Sequence, residues 1–265
     1  MRDKPVRDSL IRLLGAAGMH VCDRTSRAEL GALIESLRPL DSGIPLIRLG
    51  PAGDGGYLVP DDLTGIEHAF SPGVSTESGF ESDLAARGMR VFLADGSVAA
   101  PPVSNPGFVF EKKYVGCVLD EQFTTLDDWK RRMIPDGDGD LLLQMDIEGA
   151  EFEALLNASD ALLAQFRIMV IEFHYLQQLY NKSFYVIVSR LFAKLLKQHS
   201  VVHIHPNNCC GSVRGAGFEI PRIAEFTFLR NDRFRRREPR RDFPHRLDAD
   251  NTRKRSLPLP ECWYR

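Results

Sequence analysis

The stretch Leu141-Leu-Leu-Gln-Met-Asp-Ile-Glu-Gly-Ala-Glu151 decides the fold of this chain. Its apolar first half predicts a buried strand, and Gly149 permits a tight turn where the strand ends. Asp146 and Glu148 follow directly, and carboxylates at the C-terminal end of a buried strand usually lie in the ligand-binding crevice of an open α/β sheet. Because burying acids is costly without a partner, we predict a ligand site here. The alternative is an acidic helix N-terminus favoured by the helix dipole, which explains Asp146, still on the strand, less well than Glu148 and Glu151.

Predicted strands alternate with predicted helices on both sides of this stretch. The strand candidates are residues 66–70, 90–94, 108–114, 141–146, 167–173, 200–205 and 223–229. The intervening helices are predicted at residues 77–88, 124–133, 150–165 and 183–198. This alternation predicts an α/β fold with a mostly parallel sheet covered by helices on both faces. The last two strands are joined by a loop rich in Gly, Asn and Pro, so we expect them to be antiparallel.

Further elements precede and follow the alternating region. Two helices are predicted at residues 7–20 and 26–38, the second beginning at the capping box Ser26-Arg-Ala-Glu29. Residues 44–49 and 57–59 predict a β-hairpin that leads into the main domain. We therefore divide the chain into an N-terminal helical extension (residues 1–43), a main α/β domain (44–230) and a basic C-terminal tail (231–265).

Composition narrows the class of protein. The chain has 265 residues, of which 43% are hydrophobic, enough to bury a full core. No apolar run approaches the roughly 18–20 residues of a membrane span, and the first residues lack the apolar core of a signal peptide, so we expect a cytoplasmic protein without a membrane span. None of the five cysteines falls in a Cys-x-x-Cys pair, which argues against a zinc or redox site. We expect the adjacent Cys209 and Cys210 to be reduced.

Charge is spread unevenly along the chain. The net charge is −2, but residues 230–255 hold eleven Lys/Arg and five Asp/Glu, a local excess of six positive charges. A basic segment can bind nucleic acid or anionic lipid. Only Phe234 and Phe243 interrupt it as aromatic residues, which argues against nucleic acid as a partner. We expect a solvated or loosely packed tail.

Two further strand ends predict a nucleoside site. Gly73 lies where the first strand of the alternating region turns into a helix and permits close backbone approach to a ligand, while hydroxyls such as Ser75 and the helix N-terminus supply donors. The segment is neither Gly-x-Gly-x-x-Gly nor a P-loop, and an ordinary Pro-Gly turn is the alternative. Asp95 follows the next strand about twenty residues later, a position that suits a ribose diol. Asp-Gly is also a common turn, but the two features together predict an adenosine-type ligand.

The remaining polar groups predict an acceptor side of the same site. Glu172 and His174 follow one strand and share the same side-chain parity. His174 near Asp146 suits a general base, although a structural histidine is the alternative. His205 and Asn207 follow a later strand and are expected at the same edge. Such a set can orient a polyhydroxylated substrate or hold a hard divalent cation, and the sequence leaves both open.

These pieces together resemble the FkbM-type methyltransferases, which use S-adenosylmethionine (SAM). Met145-Asp-Ile-Glu-Gly-Ala-Glu151 is similar to that family's Asp-x-Glu-Gly-x-Glu signature. The other matching segments are Asp54-Gly-Gly-Tyr57, Ser71-Pro-Gly73 with Phe80-Glu81, Phe92-Leu-Ala-Asp95, Ile171-Glu-Phe-His174, His205 with Asn207, and Pro221 before Ala224-Glu-Phe-Thr-Phe228. The resemblance covers roughly residues 45–230. It departs at Gly96, where family members often carry Pro after the acid.

The resemblance implies a Rossmann-like class I methyltransferase fold: a mostly parallel seven-stranded sheet with helices on both faces and an antiparallel last strand. It implies methyl transfer from SAM, commonly to a hydroxyl of a sugar, a glycan or a natural product. His174 or Asp146 would remove the hydroxyl proton, and Glu148 would orient the acceptor or balance the sulfonium charge. The residues then expected to bind the cofactor are Gly73, Ser75, Glu81, Asp95 and Asp146. Those expected on the acceptor side are Asp54, Tyr57, Glu172, His205 and Asn207. A divalent metal and a homo-oligomer are left open.

Two other classes of protein compete with this interpretation. An NAD-dependent oxidoreductase or epimerase is disfavoured because Gly-x-Gly-x-x-Gly and a Tyr-x-x-x-Lys pair are both missing. A catalytically inactive nucleoside- or glycan-binding module would keep the fold without turnover. The acids around Asp146 and the presence of His174 argue mildly against it.

Overall fold

A computed structural model describes residues 4–18, 21–135, 137 and 139–265. The helices are α1 (Lys4–Ala16), α2 (Arg27–Ser36), α3 (Gly79–Ala86), α4 (Leu126–Met133), α5 (Glu151–Asn157), α6 (Asp160–Gln165) and α7 (Lys182–Leu195). The strands are β1 (Leu40–Asp41), β2 (Leu46–Leu49), β3 (Tyr57–Pro60), β4 (His68–Pro72), β5 (Arg90–Ala94), β6 (Phe108–Glu111), β7 (Tyr114–Val115), β8 (Phe123–Thr124), β9 (Leu141–Met145), β10 (Phe166–Phe173), β11 (His199–Pro206), β12 (Ser212–Gly215), β13 (Phe218–Pro221), β14 (Ala224–Arg230) and β15 (Glu238–Pro239).

Seven strands form the central sheet, in the order β11-β14-β10-β9-β4-β5-β6. β14 is antiparallel to both of its neighbours, β10 and β11, and the pairs from β10 to β6 are parallel. This order confirms the predicted Rossmann-like fold with its antiparallel last strand. From β4 the chain adds β5 and β6 on one side, then returns to add β9 and β10 on the other. The strand order therefore reverses between β4 and β9, and in open α/β sheets ligands bind at that point.

The central strands are buried on both faces, because successive side chains point to opposite sides of a sheet. Along β9, Leu141, Leu143 and Met145 join one core cluster, while Leu142 joins the other. The first cluster holds the apolar faces of α2, α4, α5, α6 and α7, and the second holds those of α3 and the β2–β3 hairpin. The alternation of strands and helices in the sequence thus becomes a sheet that is covered on one face by five helices and on the other by α3 and the β2–β3 hairpin.

Several boundaries differ from the sequence prediction. The helix predicted at residues 150–165 is divided into α5 and α6, because Ser159 leaves the helix and caps α6 by accepting a hydrogen bond from the Leu162 amide. The strand predicted to reach residue 114 ends at Glu111, and β7 pairs with β8 instead. α1 runs over Lys4–Ala16 rather than 7–20, and residues 19 and 20 lie outside the described residues. The capping box at Ser26 and the β2–β3 hairpin are confirmed.

The basic stretch at residues 230–255 is mostly exposed or half-buried, as expected of a solvated or loosely packed segment, but the residues that follow it pack against the main domain. Trp263 is 1% exposed and its indole Nε1 donates to the Glu219 carbonyl at 2.9 Å. Leu259 lies in the first core cluster. The high local charge of the segment gave no indication of the few apolar residues that pack against the domain. Some of the charged residues also make specific contacts, as Arg233 does with Asp62. The predicted boundaries at residues 43 and 230 stay predictions.

The five cysteines are free thiols, as expected. Among the described helices, none combines the length and the apolar character that crossing a membrane requires.

Candidate active site

The C-terminal ends of β4, β5, β9 and β10 meet at one edge of the sheet, around the point where the strand order reverses. They bring Gly73, Asp95, Asp146 and His174 to this edge. A cavity of about 400 Å³ opens between the first three of these residues. Its volume falls within the usual range for small-molecule sites. A larger cavity of about 920 Å³, between the β12–β13 hairpin and the C-terminal segment, contains none of the predicted site residues.

Asp95 organises the loops at one end of the 400 Å³ cavity. Its Oδ2 accepts a hydrogen bond from the Ser75 amide at 2.9 Å, and its Oδ1 accepts from the Ser97 amide and hydroxyl at 2.7 and 2.6 Å. Each carboxylate oxygen has two acceptor positions, so Oδ2 retains one for a ligand. This geometry leaves room for a hydrogen bond from a ribose hydroxyl to Asp95, and the ribose contact stays a prediction.

An aromatic wall lines the same cavity and was missed by the sequence interpretation. The rings of Tyr114 and Phe123 lie with their centroids 5.4 Å apart, and Val115 lies beside them. A Cβ atom at Gly96 would come within 2.5 Å of the Tyr114 ring. The absence of a side chain at Gly96 thus makes room for Tyr114. A flat apolar wall of this kind suits a nucleobase.

The need for glycine at position 73 comes from a close contact with the main chain of Asp146. Its φ is +92°, and a Cβ atom there would lie 1.5 Å from the Asp146 carbonyl oxygen. The close approach that we predicted toward a ligand is therefore made to the main chain that carries Asp146, although Gly73 also lines the cavity. Any side chain at this position would push the loops after β4 and β9 apart.

Glu81 lies beneath the cavity rather than in its lining. Oε1 of Glu81 lies 2.5 Å from the Ser71 hydroxyl, which also lies 2.6 Å from Gln144 Oε1. The Gln144 amide donates to the Tyr57 hydroxyl at 3.2 Å. Burial raises the pKa of Glu81, and the hydrogen bond from Ser71 opposes that shift. The structure thus brings the predicted residues Glu81 and Tyr57 into one buried hydrogen-bond network. The role of Glu81 in binding the cofactor stays a prediction.

His174 is oriented by a buried carboxylate that the sequence interpretation did not place in the site. Its Nδ1 lies 3.1 Å from Oε1 of Glu151, which has no exposed surface. The same oxygen accepts the amides of Ile147 and Gly149 at 3.1 and 3.0 Å. With Nδ1–H donated to Glu151, the lone pair of the neutral ring lies on Nε2. In the sequence, the position of Glu151 at the start of a predicted helix indicated only an acidic helix N-terminus and gave no indication of its contact with His174.

The Nε2 atom of His174 faces three carboxylates. It lies 3.4 Å from Glu148 Oε2, 3.9 Å from Asp146 Oδ1 and 4.0 Å from Glu172 Oε1. Burial on its own would lower the pKa of His174, but the hydrogen bond with Glu151 and the surrounding charges outweigh it and raise this pKa. Burial also raises the pKa of Asp146 to about 7, with His174 opposing the shift and Glu148 adding to it. The predicted catalytic residues are therefore brought together.

Backbone strain is concentrated at these strand ends. Ser75, Glu148 and Tyr175 have φ angles of +39°, +56° and +57°, and they follow β4, β9 and β10. A left-handed conformation costs a non-glycine residue about 1–2 kcal/mol. Strain of this kind clusters at functional sites, where it fixes the direction of a side chain.

The predicted acceptor residues lie in a polar row across neighbouring strands. His205, Glu225 and Glu172 are register neighbours on β11, β14 and β10. Oε1 of Glu172 accepts from the Asn207 amide at 2.9 Å. Burial and the charges of Asp146 and Glu225 raise the pKa of Glu172 well above its ordinary value.

Three further residues of this row, Glu225 on β14 and Asp248 and Asn251 in the C-terminal segment, were not among the predicted site residues. Glu225 Oε1 accepts from the Asn251 amide at 2.8 Å, and the same amide donates to Asp54 at 3.2 Å. Asp248 lies 2.8 Å from His203 Nε2 and 3.7 Å from His205 Nδ1. The basic tail thus supplies polar residues to the edge of the site. Its amino-acid composition did not indicate that any of its residues would reach the site.

Comparison with known families gives one match. Residues 95–199 match the family model described as the methyltransferase FkbM domain. The matched region begins at Asp95 and includes Asp146, Glu148, Glu151 and His174. A comparison with curated proteins gives no significant match.

Proposed function

We propose that this chain, of which residues 95–199 match the methyltransferase FkbM domain, transfers a methyl group from SAM to a hydroxyl group of a sugar, a glycan or a natural product. The observation that carries the proposal is that the cavity and the His174 cluster share two residues. Asp146 and Glu148 line the cavity and also face His174 Nε2. A cofactor in the cavity and an acceptor beside His174 would meet at these carboxylates.

The cavity has the features that an adenosyl ligand needs. Asp95 offers a carboxylate for a ribose diol, and Tyr114 with Phe123 offers an aromatic wall for the base. SAM supplies a methyl group on a positively charged sulfur, which needs little activation beyond in-line placement at about 3 Å from the nucleophile. The carboxylates of Asp146 and Glu148 can balance the positive charge of the bound cofactor.

An acceptor hydroxyl has a pKa far above neutrality and needs a base. His174 is one candidate, since Glu151 holds its Nδ1 and leaves Nε2 facing Asp146 and Glu148. Asp146 is the other, because its raised pKa of about 7 makes it an effective proton acceptor near neutral pH. Glu148 would orient the acceptor.

The polar row beside His174 supports a hydroxyl-rich acceptor. Asn207 donates to Glu172 at 2.9 Å, and His205 follows on the far side of Glu225 in the same row of strands. Buried polar groups of this kind are costly unless a ligand or a neighbour satisfies them. A polyol such as a sugar carries several hydroxyl groups that can do so.

The match to a methyltransferase family sets the NAD-dependent alternative aside, and an inactive binding module becomes an outcome of the test. We would titrate the protein with SAM and S-adenosylhomocysteine (SAH) by calorimetry, with NAD as the control ligand. Micromolar binding of the two adenosyl ligands and none of NAD is expected. Release of SAH would then be measured with a panel of sugars and glycosides. Binding of SAM without turnover on any hydroxyl acceptor would favour the binding module, and failure to bind SAM would contradict the proposal.

A further inference from the structure

We propose that Asp146, Glu148 and His174 bind one divalent metal cation at the boundary between the cavity and the polar row. The candidate ligand atoms are a carboxylate oxygen of each acid and Nε2 of the histidine, and they all lie within 4.8 Å of one another. The binding site stands on its own geometry. Its role in catalysis rests on the methyltransferase function proposed above.

The distances between these atoms suit a shared ion. Nε2 lies 3.4 Å from Glu148 Oε2 and 3.9 Å from Asp146 Oδ1. Two ligands that each lie about 2.1 Å from one ion are separated by about 3–4 Å. The Glu148 side chain is 87% exposed and can adjust. Its left-handed backbone, at φ +56°, already directs it toward His174.

His174 is held in the way that metal-binding histidines usually are. Such a histidine donates its other ring N–H to a carboxylate, which fixes the ring and leaves the free nitrogen for the metal. Glu151 fills that role, since it lies 3.1 Å from Nδ1 and is itself held by the amides of Ile147 and Gly149. The orientation of Nε2 toward Asp146 and Glu148 is therefore built into the fold.

Unsatisfied buried atoms give an independent indication of a cation. Twelve buried side-chain atoms of the described residues have no hydrogen-bond partner, and three of them belong to carboxylates around His174: Asp146 Oδ1, Glu151 Oε2 and Glu172 Oε2. The Glu172 side chain is only 4% exposed, and its other oxygen, Oε1, lies 4.0 Å from Nε2 of His174, whose side chain is 7% exposed. Unpaired buried carboxylate oxygens are costly, and a cation would compensate them. An acidic helix N-terminus explains neither the buried oxygens nor the orientation of the histidine.

The donor set defines the class of ion. Two carboxylates and one imidazole suit a divalent ion that accepts both oxygen and nitrogen ligands, such as Mn²⁺ or Zn²⁺, better than the all-oxygen environment typical of Ca²⁺. Three protein ligands leave positions open for the hydroxyl of an acceptor, and a metal ion lowers the pKa of an oxygen bound to it. In this arrangement His174 is a ligand and not the base. The competing explanation is a protonated His174 that balances the same acids without a metal.

Binding of Mn²⁺ to the full-length protein tests the site directly. After treatment with a chelator and dialysis, the protein would be titrated with Mn²⁺ while the electron paramagnetic resonance signal of the free ion is followed. One site per chain is expected. Glu148→Gln and His174→Gln should each weaken binding at least tenfold. Glu153→Gln, which changes an exposed acid of α5, should leave metal binding unchanged. Thermal melting of each variant would confirm that it is folded.

Two results would overturn the cation site. One is the absence of saturable binding of Mn²⁺, Zn²⁺ or Mg²⁺ up to millimolar concentration, and the other is binding that neither Glu148→Gln nor His174→Gln weakens. Calorimetry with SAH on the same samples separates this inference from the proposed function. Metal binding without SAH binding would support the cation site and contradict the proposed function. SAH binding without metal binding would contradict the cation site and support the proposed function. His174 would then balance the surrounding acids as an imidazolium.

Discussion

The imidazole of His174 and the carboxylate of Glu151 lie 3.1 Å apart, joining the end of β10 to the first residue of α5. Because Glu151 is fully buried and also accepts two main-chain amides, it holds both the loop after β9 and the histidine. One side chain thereby fixes the positions of Asp146, Glu148 and His174 relative to one another.

Glu151→Ala should lower the free energy of unfolding by about 2–4 kcal/mol, because the amides of Ile147 and Gly149 would lose their shared acceptor. Urea denaturation would measure the change. Glu153→Ala, at an exposed position two residues along the same helix, is the matched control and should change stability by less than about 0.5 kcal/mol. Equal effects of the two substitutions would show that Glu151 does not hold the loop.

His174→Gln should lower turnover about 100-fold or more while changing the affinity for SAH less than twofold, since His174 faces the acceptor side and does not line the cavity. Release of SAH with a competent acceptor measures the first quantity and calorimetry the second. His68→Gln, at the opposite end of β4, provides the control. Full activity in His174→Gln would rule out a catalytic role for His174, either as a base or as the ligand of a catalytic metal ion.

Asp95→Asn should weaken SAH binding at least tenfold, because an amide has one acceptor oxygen instead of two, so that its NH2 group would face the amide of either Ser75 or Ser97 and disturb the loops that shape the cavity. Calorimetry would measure this affinity. Asp61→Asn, at an exposed site beyond the β2–β3 hairpin, should bind SAH as the unmodified protein does. An unchanged dissociation constant in Asp95→Asn would rule out the ribose contact.

Glu148→Gly should be more stable than Glu148→Ala by about 1 kcal/mol, because glycine tolerates the φ of +56° at this position and alanine does not. Parallel urea titrations of the two variants would show the difference. If alanine proved as stable as glycine, the residue would not adopt a left-handed conformation in solution.

Asp248→Asn should destabilise the protein most at mildly acidic pH. The charges and hydrogen bonds of His203 and His205 outweigh burial and hold the pKa of Asp248 well below its usual range, so its contribution is present above about pH 4 and is lost as the pH falls further. The pKa of His205 is raised, because Asp248 and Glu225 outweigh burial, so its contribution is present below about pH 6.5 and is lost as the pH rises through the raised value.

The difference in unfolding free energy between the unmodified protein and Asp248→Asn should therefore be greater at pH 5.5 than at pH 3 or pH 9. Urea denaturation at the three pH values would measure it. Asp242→Asn, which changes an exposed acid of the same segment, should show a smaller and flatter difference. A difference that does not vary with pH would mean that Asp248 is not paired with these histidines.

The architecture of the sheet could be predicted because it depends on local patterns. Apolar runs such as Leu141–Met145 predict strands, the spacing of polar residues shows where each strand ends, and parallel strands bring those ends to one edge. Gly73, Asp95, Asp146 and His174 were found in this way. The same local patterns failed at Ser159, where a capping hydroxyl that anchors to Asp127 breaks a continuous helical run in two.

The sequence by itself determined the order of strands and helices, the strand ends that carry polar groups and the resemblance to a methyltransferase family. Only the tertiary structure decided that Glu151 holds His174, that Gly73 meets the carbonyl of Asp146, and that Asp248 and Asn251 reach the acceptor side. The physical reason is that periodicity records which way a side chain faces over a few residues. A contact such as that between Asn251 and Asp54, 197 residues apart, depends on strand order, register and the packing of a charged tail, which no local pattern encodes.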